Sequence, residues 1–120
     1  MNTTKALKIF DKKVRMAARK AGIPDDVLSV GTDGDGFRWN WNVSDHPQSS
    51  VLREVLVLLS LQEPKGAFVE VRAFMHNTAT RSGAKAQLIA GLCLSSFPTA
   101  VKTPVLTDHL KEALGQARRL

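Results

Sequence analysis

The residue types that could perform catalysis or bind a metal are few and scattered in this sequence of 120 residues. Its three histidines, His46, His76 and His109, are far apart, and none has a second ligand at His-x-x-x-His or Cys-x-x-Cys spacing. An acid, a base and a histidine could converge only where Glu70, Arg72 and His76 alternate along one predicted strand. We favour the interpretation that these residues form cross-strand charge pairs, which commonly stabilise exposed sheet surfaces. We therefore predict no enzymatic activity, no metal site and no cofactor.

The segment Asp33-Gly34-Asp35-Gly36 has two aspartates at alternate positions before a glycine, as in the opening of a calcium loop. The third ligand and the distal glutamate of such a loop are missing from the sequence. We interpret the segment as a hairpin turn in which both glycines supply positive φ angles. Cys93 lies among apolar residues and is interpreted as a core side chain rather than a reactive thiolate.

The positive charge of the chain is concentrated in its first 21 residues. This segment holds seven lysines and arginines and a single acid, Asp11, whereas the rest of the chain holds ten basic and ten acidic residues. The formal net charge of +6 therefore belongs to one segment. A concentrated field attracts polyanions, which predicts an acidic partner for one surface. The seven candidate binding residues are Lys5, Lys8, Lys12, Lys13, Arg15, Arg19 and Lys20.

Residues 3–21 are predicted to form the helix that presents these charges, with Gly22 ending it. Apolar residues at helical spacing give one inward stripe about 100° wide. On the opposite side, five cations fall within about 80° of arc. We name these five the cation ridge: Lys5, Lys8, Lys12, Arg15 and Arg19. Ile9 and Met16 lie beside the cation ridge and are candidates for apolar contact with a partner.

The middle of the chain alternates apolar and polar residues with a period of two, which predicts strands. Leu28 and Val30 precede the glycine-rich turn, and three aromatic residues, Phe37, Trp39 and Trp41, follow it on one strand face. Three aromatic side chains on an exposed face could stack on unpaired bases. We instead predict that they face the core, because the sheet needs large apolar groups there.

Residues 51–62 can be interpreted in two ways. As a strand, the segment places Val55, Val57 and Leu59 on one face. As part of a helix over residues 46–61, it groups most of its apolar residues on one side. We favour the strand, for which the adjacent strand pattern at residues 67–76 supplies an antiparallel partner.

Two further elements follow. Residues 86–95 alternate, with Leu88 and every second residue after it on the inner face. Residues 107–120 have helical spacing, with Thr107 or Asp108 as the N-terminal cap.

The fold class predicted from these elements is α+β, a five-stranded antiparallel meander flanked by an N-terminal and a C-terminal helix on one sheet face. A helix over residues 46–61 would instead give the order α-ββ-α-ββ-α. The length of the chain predicts a single domain over residues 1–120.

Composition excludes several classes of protein. With 43% hydrophobic and 23% charged residues, the chain is too apolar for wholesale disorder. Its longest apolar run, Val55 to Leu59, is too short to span a bilayer, and charged residues interrupt the place where a signal peptide would lie. We expect a cytoplasmic protein with no membrane partner, and the single cysteine agrees with a reducing compartment.

Two functional hypotheses follow from the cation ridge. The first is a non-enzymatic protein that contacts nucleic acid through phosphate groups, with little sequence specificity, because no recognition motif is present. The second is a small adaptor, inhibitor or immunity-type protein that binds an acidic protein surface, to which Ile9 and Met16 supply apolar contact. A homodimer is compatible with either hypothesis, because a meander has open strand edges.

Overall fold

The computed structural model describes residues 3–34, 36–46, 48–62, 66–80, 83–94 and 98–120 of the chain. In these ranges a helix, five strands and a second helix follow one another, which confirms the predicted α+β fold. Short 3-10 turns at Asp25–Val27 and Pro98–Ala100 join the helices to the sheet. The elements are α1 (Thr3–Lys20), β1 (Leu28–Asp33), β2 (Gly36–Asn42), β3 (Val51–Gln62), β4 (Gly66–Asn77), β5 (Lys85–Leu94) and α2 (Thr103–Arg119).

The strands pair in chain order, and every neighbouring pair is antiparallel. The central strand β3 pairs with β2 on one side and with β4 over its whole length on the other. The alternative prediction of a helix over residues 46–61 is therefore wrong. Strand pairing on both sides satisfies the backbone of β3, and the period of two brings Val55, Val57 and Leu59 to the same buried face.

Both helices pack on the same side of the sheet, which we name the inner face. One core joins residues of α1, α2 and the strands. Trp39 and Trp41 of β2 are buried at its centre, so the interpretation of these two side chains as a base-stacking platform is wrong. A buried tryptophan removes about 150–250 Å² from water, roughly 4–6 kcal/mol at about 25 cal/mol per Å². On the opposite side, the outer face, no described side chain of the sheet is buried.

The apolar stripe of α1 packs on this core as the sequence predicts. Most of its predicted members are buried, and Leu7, at the edge of the stripe, is half-buried. The Phe10 ring meets the Trp39 ring edge to face, with ring centroids 5.2 Å apart and an interplanar angle of 72°. The buried members are Phe10, Val14, Ala17, Ala18 and Ala21.

The second helix begins one turn earlier than the sequence analysis predicts. It starts at Thr103, with Pro104 in its first turn, so the prediction of Thr107 or Asp108 as the cap is wrong. Backbone N–H groups in the first turn of a helix have no acceptor within the helix. Proline, which has no N–H, therefore removes no hydrogen bond there. Thr107 is a buried residue of the helix, and its hydroxyl donates to the Thr103 carbonyl at 2.8 Å.

An irregularity in the pairing of β4 with β5 changes the direction of one predicted core residue. The register shifts between Val71 and Arg72, so Ala90 lies opposite Val71 while Leu88 lies opposite Arg72. One extra residue in a strand reverses the faces of all residues beyond it. Leu88 is therefore on the outer face and 51% exposed, and the prediction that it faces the core is wrong. Cys93 is also exposed, which corrects its interpretation as a core side chain.

The two glycines of the β1-β2 turn have different physical roles. Gly34 adopts a positive φ of 58°, as predicted, whereas Gly36 does not. Gly36 is needed because the backbone of β3 passes so close that a Cβ atom would lie 2.2 Å from the Leu59 carbonyl oxygen. Asp35, the other turn residue of the prediction, lies outside the described residues.

Replacing Gly36 with alanine is expected to lower the free energy of unfolding by roughly 2 kcal/mol, because backbone atoms must move to admit the methyl group. The midpoint of urea denaturation measures the change. The control is Gly83→Ala, where an added Cβ meets no atom within 4 Å. Equal midpoints for the two variants would contradict the close approach.

Candidate partner-binding surface

The position of α1 on the sheet is fixed by its single acid. The Trp39 indole N–H donates to Asp11 Oδ1 at 2.8 Å. Arg15 Nε donates to both oxygens of the same carboxylate, at 3.1 and 3.0 Å. Asp11 therefore joins a core side chain of β2 to the cation ridge of α1. Together with the buried apolar stripe of α1, this bond holds the helix in the rotation that directs the cation ridge to solvent.

The cation ridge is exposed, but part of its charge is neutralised inside the molecule. Arg15 pairs with Asp11, and Arg19 Nε lies 2.7 Å from Asp25 Oδ2. Among the described residues, no carboxylate pairs with Lys8 or Lys12. These two lysines therefore present charge that no carboxylate of the described residues neutralises. Lys5, Lys8, Lys12 and Arg19 are exposed and Arg15 is half-buried.

Two basic residues outside the cation ridge differ in their surroundings. Lys13 reaches across to the turn before α2, where its ammonium donates to the carbonyl oxygens of Thr99 at 2.5 Å and Val101 at 2.8 Å. Its charge is directed to backbone acceptors, which gives it a structural role. Lys20, in the last turn of α1, is exposed.

The two candidate apolar contact residues lie where the helical spacing predicts them, next to the cation ridge. Met16 is 40% exposed, and Ile9 is half-buried. A large apolar side chain that remains exposed among charged residues is available for contact with a partner. These two side chains border the cation ridge on the side of Lys13.

An apolar groove runs along the other border of the cation ridge, between α1 and the edge strand β1. It has a volume of about 330 Å³. Val30, on the inner side of β1, is 48% exposed because α1 does not extend over the edge of the sheet. Lys8 and Asp11 form the charged rim of the groove. The lining residues are Thr4, Leu7, Lys8, Asp11, Val30, Phe37 and Trp39.

Sequence reasoning missed this groove. Leu7 and Val30 are both predicted to point inward, and nothing in either segment indicates that the helix stops short of β1. Helix width does not reveal it either, because two helices about 10 Å wide together match the width of about 20 Å of five strands spaced about 4.8 Å apart.

The one spot considered for catalysis holds an ion pair on the outer face. Arg72 Nε lies 2.7 Å from Glu70 Oε2, and both side chains are half-buried. His76 is on the same face, near the end of β4, where it lies opposite Leu52. The pair joins two residues of the same strand, and the residues opposite Glu70 and Arg72 are uncharged, so the interpretation as a cross-strand charge pair is wrong. The prediction that the protein is not an enzyme stays a prediction.

Comparison with known proteins finds no matching family model, no similar curated protein and no similar solved structure. Among the described residues, no helix is long and apolar enough to cross a membrane. In the same part of the chain, histidine, cysteine, aspartate and glutamate form no group of three or more that could hold a metal ion.

Lys12 and Lys13 are adjacent residues of equal charge for which the structure predicts different effects. Lys13→Met is expected to lower the free energy of unfolding by about 1–3 kcal/mol, because two carbonyl oxygens lose a charged donor. Lys12→Met changes an exposed residue and is expected to stay within about 0.5 kcal/mol of the parent protein. Urea denaturation measures both variants. Equal effects would argue against a structural role for Lys13.

Asp11→Ala is expected to destabilise the protein by about 1–3 kcal/mol, because the Trp39 indole N–H loses its acceptor. Trp39 fluorescence is expected to change as well, whereas Asp11→Asn, which keeps an acceptor oxygen, retains most of the stability. The matched control is Asp26→Ala, at an exposed position. An Asp11→Ala variant as stable as this control would show that the bond does not fix α1.

Proposed function

We propose that the protein is a non-enzymatic binding module for a protein segment that carries acidic and apolar side chains together. The single observation that carries the proposal is the apolar groove beside the exposed Lys8 of the cation ridge. In this function the cation ridge attracts the acidic side chains, and the groove accepts the apolar ones.

The charge of the surface supports an acidic partner. Lys8 and Lys12 are exposed on neighbouring turns of α1, and Lys20 adds charge near its end. Like charges three or four residues apart repel each other by a few tenths of a kcal/mol, a cost that a bound carboxylate reverses. Such a surface raises the association rate with acidic partners, and the effect falls as salt rises.

The apolar lining supports a protein partner over nucleic acid. Val30, Leu7 and Phe37 remain partly exposed at the groove. A base can stack on the Phe37 ring, but phosphate groups offer nothing to cover the aliphatic Val30 and Leu7. Burial of apolar side chains contributes about 25 cal/mol per Å², so covering them favours an occupant with apolar side chains of its own. An extended segment along β1 would also pair with the open backbone of this edge strand.

Nucleic acid is the second candidate function, favoured by the exposed Lys8, Lys12 and Lys20. From the sequence alone it is the first hypothesis. Since Arg15 and Arg19 already have carboxylate partners, fewer unpaired charges remain for either kind of anionic partner. The apolar groove, and not the charge, therefore favours the protein segment.

Selection from a random peptide library against the immobilised protein is expected to enrich peptides that combine acidic and apolar residues. For a selected peptide, Lys8→Glu with Lys12→Glu is expected to weaken binding roughly tenfold or more, with a smaller effect at high salt. Val30→Asn is expected to weaken binding with little salt dependence, because it places an uncharged polar group among the apolar side chains of the groove. Fluorescence anisotropy of the labelled peptide measures each affinity.

Matched controls lie on α2, away from this surface. Lys111→Glu reverses an exposed lysine, and Val105→Asn places a polar group at an exposed valine; both are expected to leave the affinity unchanged. Selected peptides without acidic residues, or full binding to the Val30→Asn variant, would refute the proposal. Binding of labelled single-stranded DNA or duplex RNA that depends on Lys8 and Lys12 but not on Val30 would establish the nucleic-acid function instead.

A further inference from the structure

The outer face of the sheet is partly apolar and uncovered. Its leucines and phenylalanines lie on the central strand β3, on the neighbouring strand β4 and on the edge strand β5, while both helices pack on the inner face. None of these side chains is buried in the described part of the chain, and Leu88 is 51% exposed. A contiguous surface of this kind indicates an interface. The residues are Leu52, Leu56, Leu58, Phe68, Phe74 and Leu88.

The charges on the outer face have both signs, unlike those of α1. Arg38 and Arg72 lie among Asp33, Glu54 and Glu70. A surface with charges of both signs is not complementary to a partner surface that is uniformly acidic or uniformly basic. It does fit its own copy, because a two-fold interface brings the same residues together from both sides and must contain acceptors for its own donors.

Arg38 borders an open pocket on the outer face. Its guanidinium lines this pocket, which has a volume of about 390 Å³, together with Asp33 and Glu54. The Nε atom is enclosed by the chain itself and has no hydrogen-bond partner within the described residues. Because a partner cannot reach this enclosed atom, only the part of the side chain that borders the pocket is available for contact. A carboxylate of a second copy seated on the pocket would lie next to this positive charge.

The size of the outer face also meets the requirement of a stable dimer. The central strands β3 and β4 each have 12 residues and are therefore about 40 Å long. Five strands spaced about 4.8 Å apart span about 20 Å. The face therefore measures roughly 800 Å², which is about the area that each partner buries in a standard interface.

We infer that two copies of this chain pack outer face to outer face, with Leu56 and Leu58 of β3 at the centre and with the apolar side chains and the pocket beside Arg38 covered by the same face of the other copy. This inference goes beyond the proposed function and does not depend on it. The dimer leaves α1, its cation ridge and its groove exposed in both copies, because they lie on the other side of each sheet.

Sedimentation velocity tests the inference with the full chain over a wide range of concentrations. The parent protein is expected to sediment as a species of about twice the 13.1 kDa mass of one chain. Leu58→Glu, at the centre of the outer face, is expected to give a monomer, and so is Leu56→Lys, which adds the opposite charge. Val105→Glu, at an exposed position of α2, is the matched control and is expected to remain a dimer. Circular dichroism verifies that each variant is folded.

Two complementary variants distinguish this arrangement from other dimers. Arg38→Glu with Arg72→Glu makes the outer face acidic, and Glu54→Arg with Glu70→Arg makes it basic. Each variant alone is expected to be a monomer, and an equimolar mixture is expected to form a heterodimer. A monomeric parent protein would overturn the inference, as would a dimer that persists in Leu58→Glu and Leu56→Lys. Peptide binding by Leu58→Glu is expected to be unchanged, so the proposed function is tested separately.

Discussion

The bond from the Trp39 indole to Asp11 determines how the strongly charged helix sits on the sheet. A helix with seven basic residues and a long apolar stripe could rotate by some tens of degrees and still bury alanines. The bond removes that freedom, because Trp39 is held in the core by Phe10 and by the strands around it. The acid that holds the helix also neutralises Arg15, so positioning the cation ridge reduces its charge.

The fold could be predicted from the sequence wherever one periodicity dominates a long segment. α1 and β4 are examples, since their apolar residues repeat without interruption and the structure follows them closely. Prediction failed where a contact between distant segments decides the outcome. Leu88 points outward because of a register shift between β4 and β5, and no residue type in either strand indicates that shift. Gly36 is required by the backbone of β3, which lies more than twenty residues away in the chain.

The candidate surface could be predicted only in part, for the same reason. Helical spacing identifies the exposed side of α1, but it cannot reveal which cations already have partners. Asp25 reaches Arg19 because the chain turns back after α1, and Lys13 finds its carbonyl acceptors in the turn before α2. The groove likewise exists because α1 leaves the edge strand β1 uncovered, and the sequence of neither element indicates this arrangement. Charge counted along a sequence is therefore an upper limit on the charge that a surface offers.

The two faces of the sheet are complementary to different kinds of partner. The side of α1 has a positive field next to an apolar groove, whereas the outer face mixes both signs among leucines and phenylalanines. One occupant cannot satisfy both, so an acidic segment on one face and a second copy on the other are compatible assignments. Pairing through the outer faces would give one assembly two groove surfaces directed away from each other. A partner with two acidic segments would then gain affinity from the second contact without any new interface, provided that its linker can pass around the dimer.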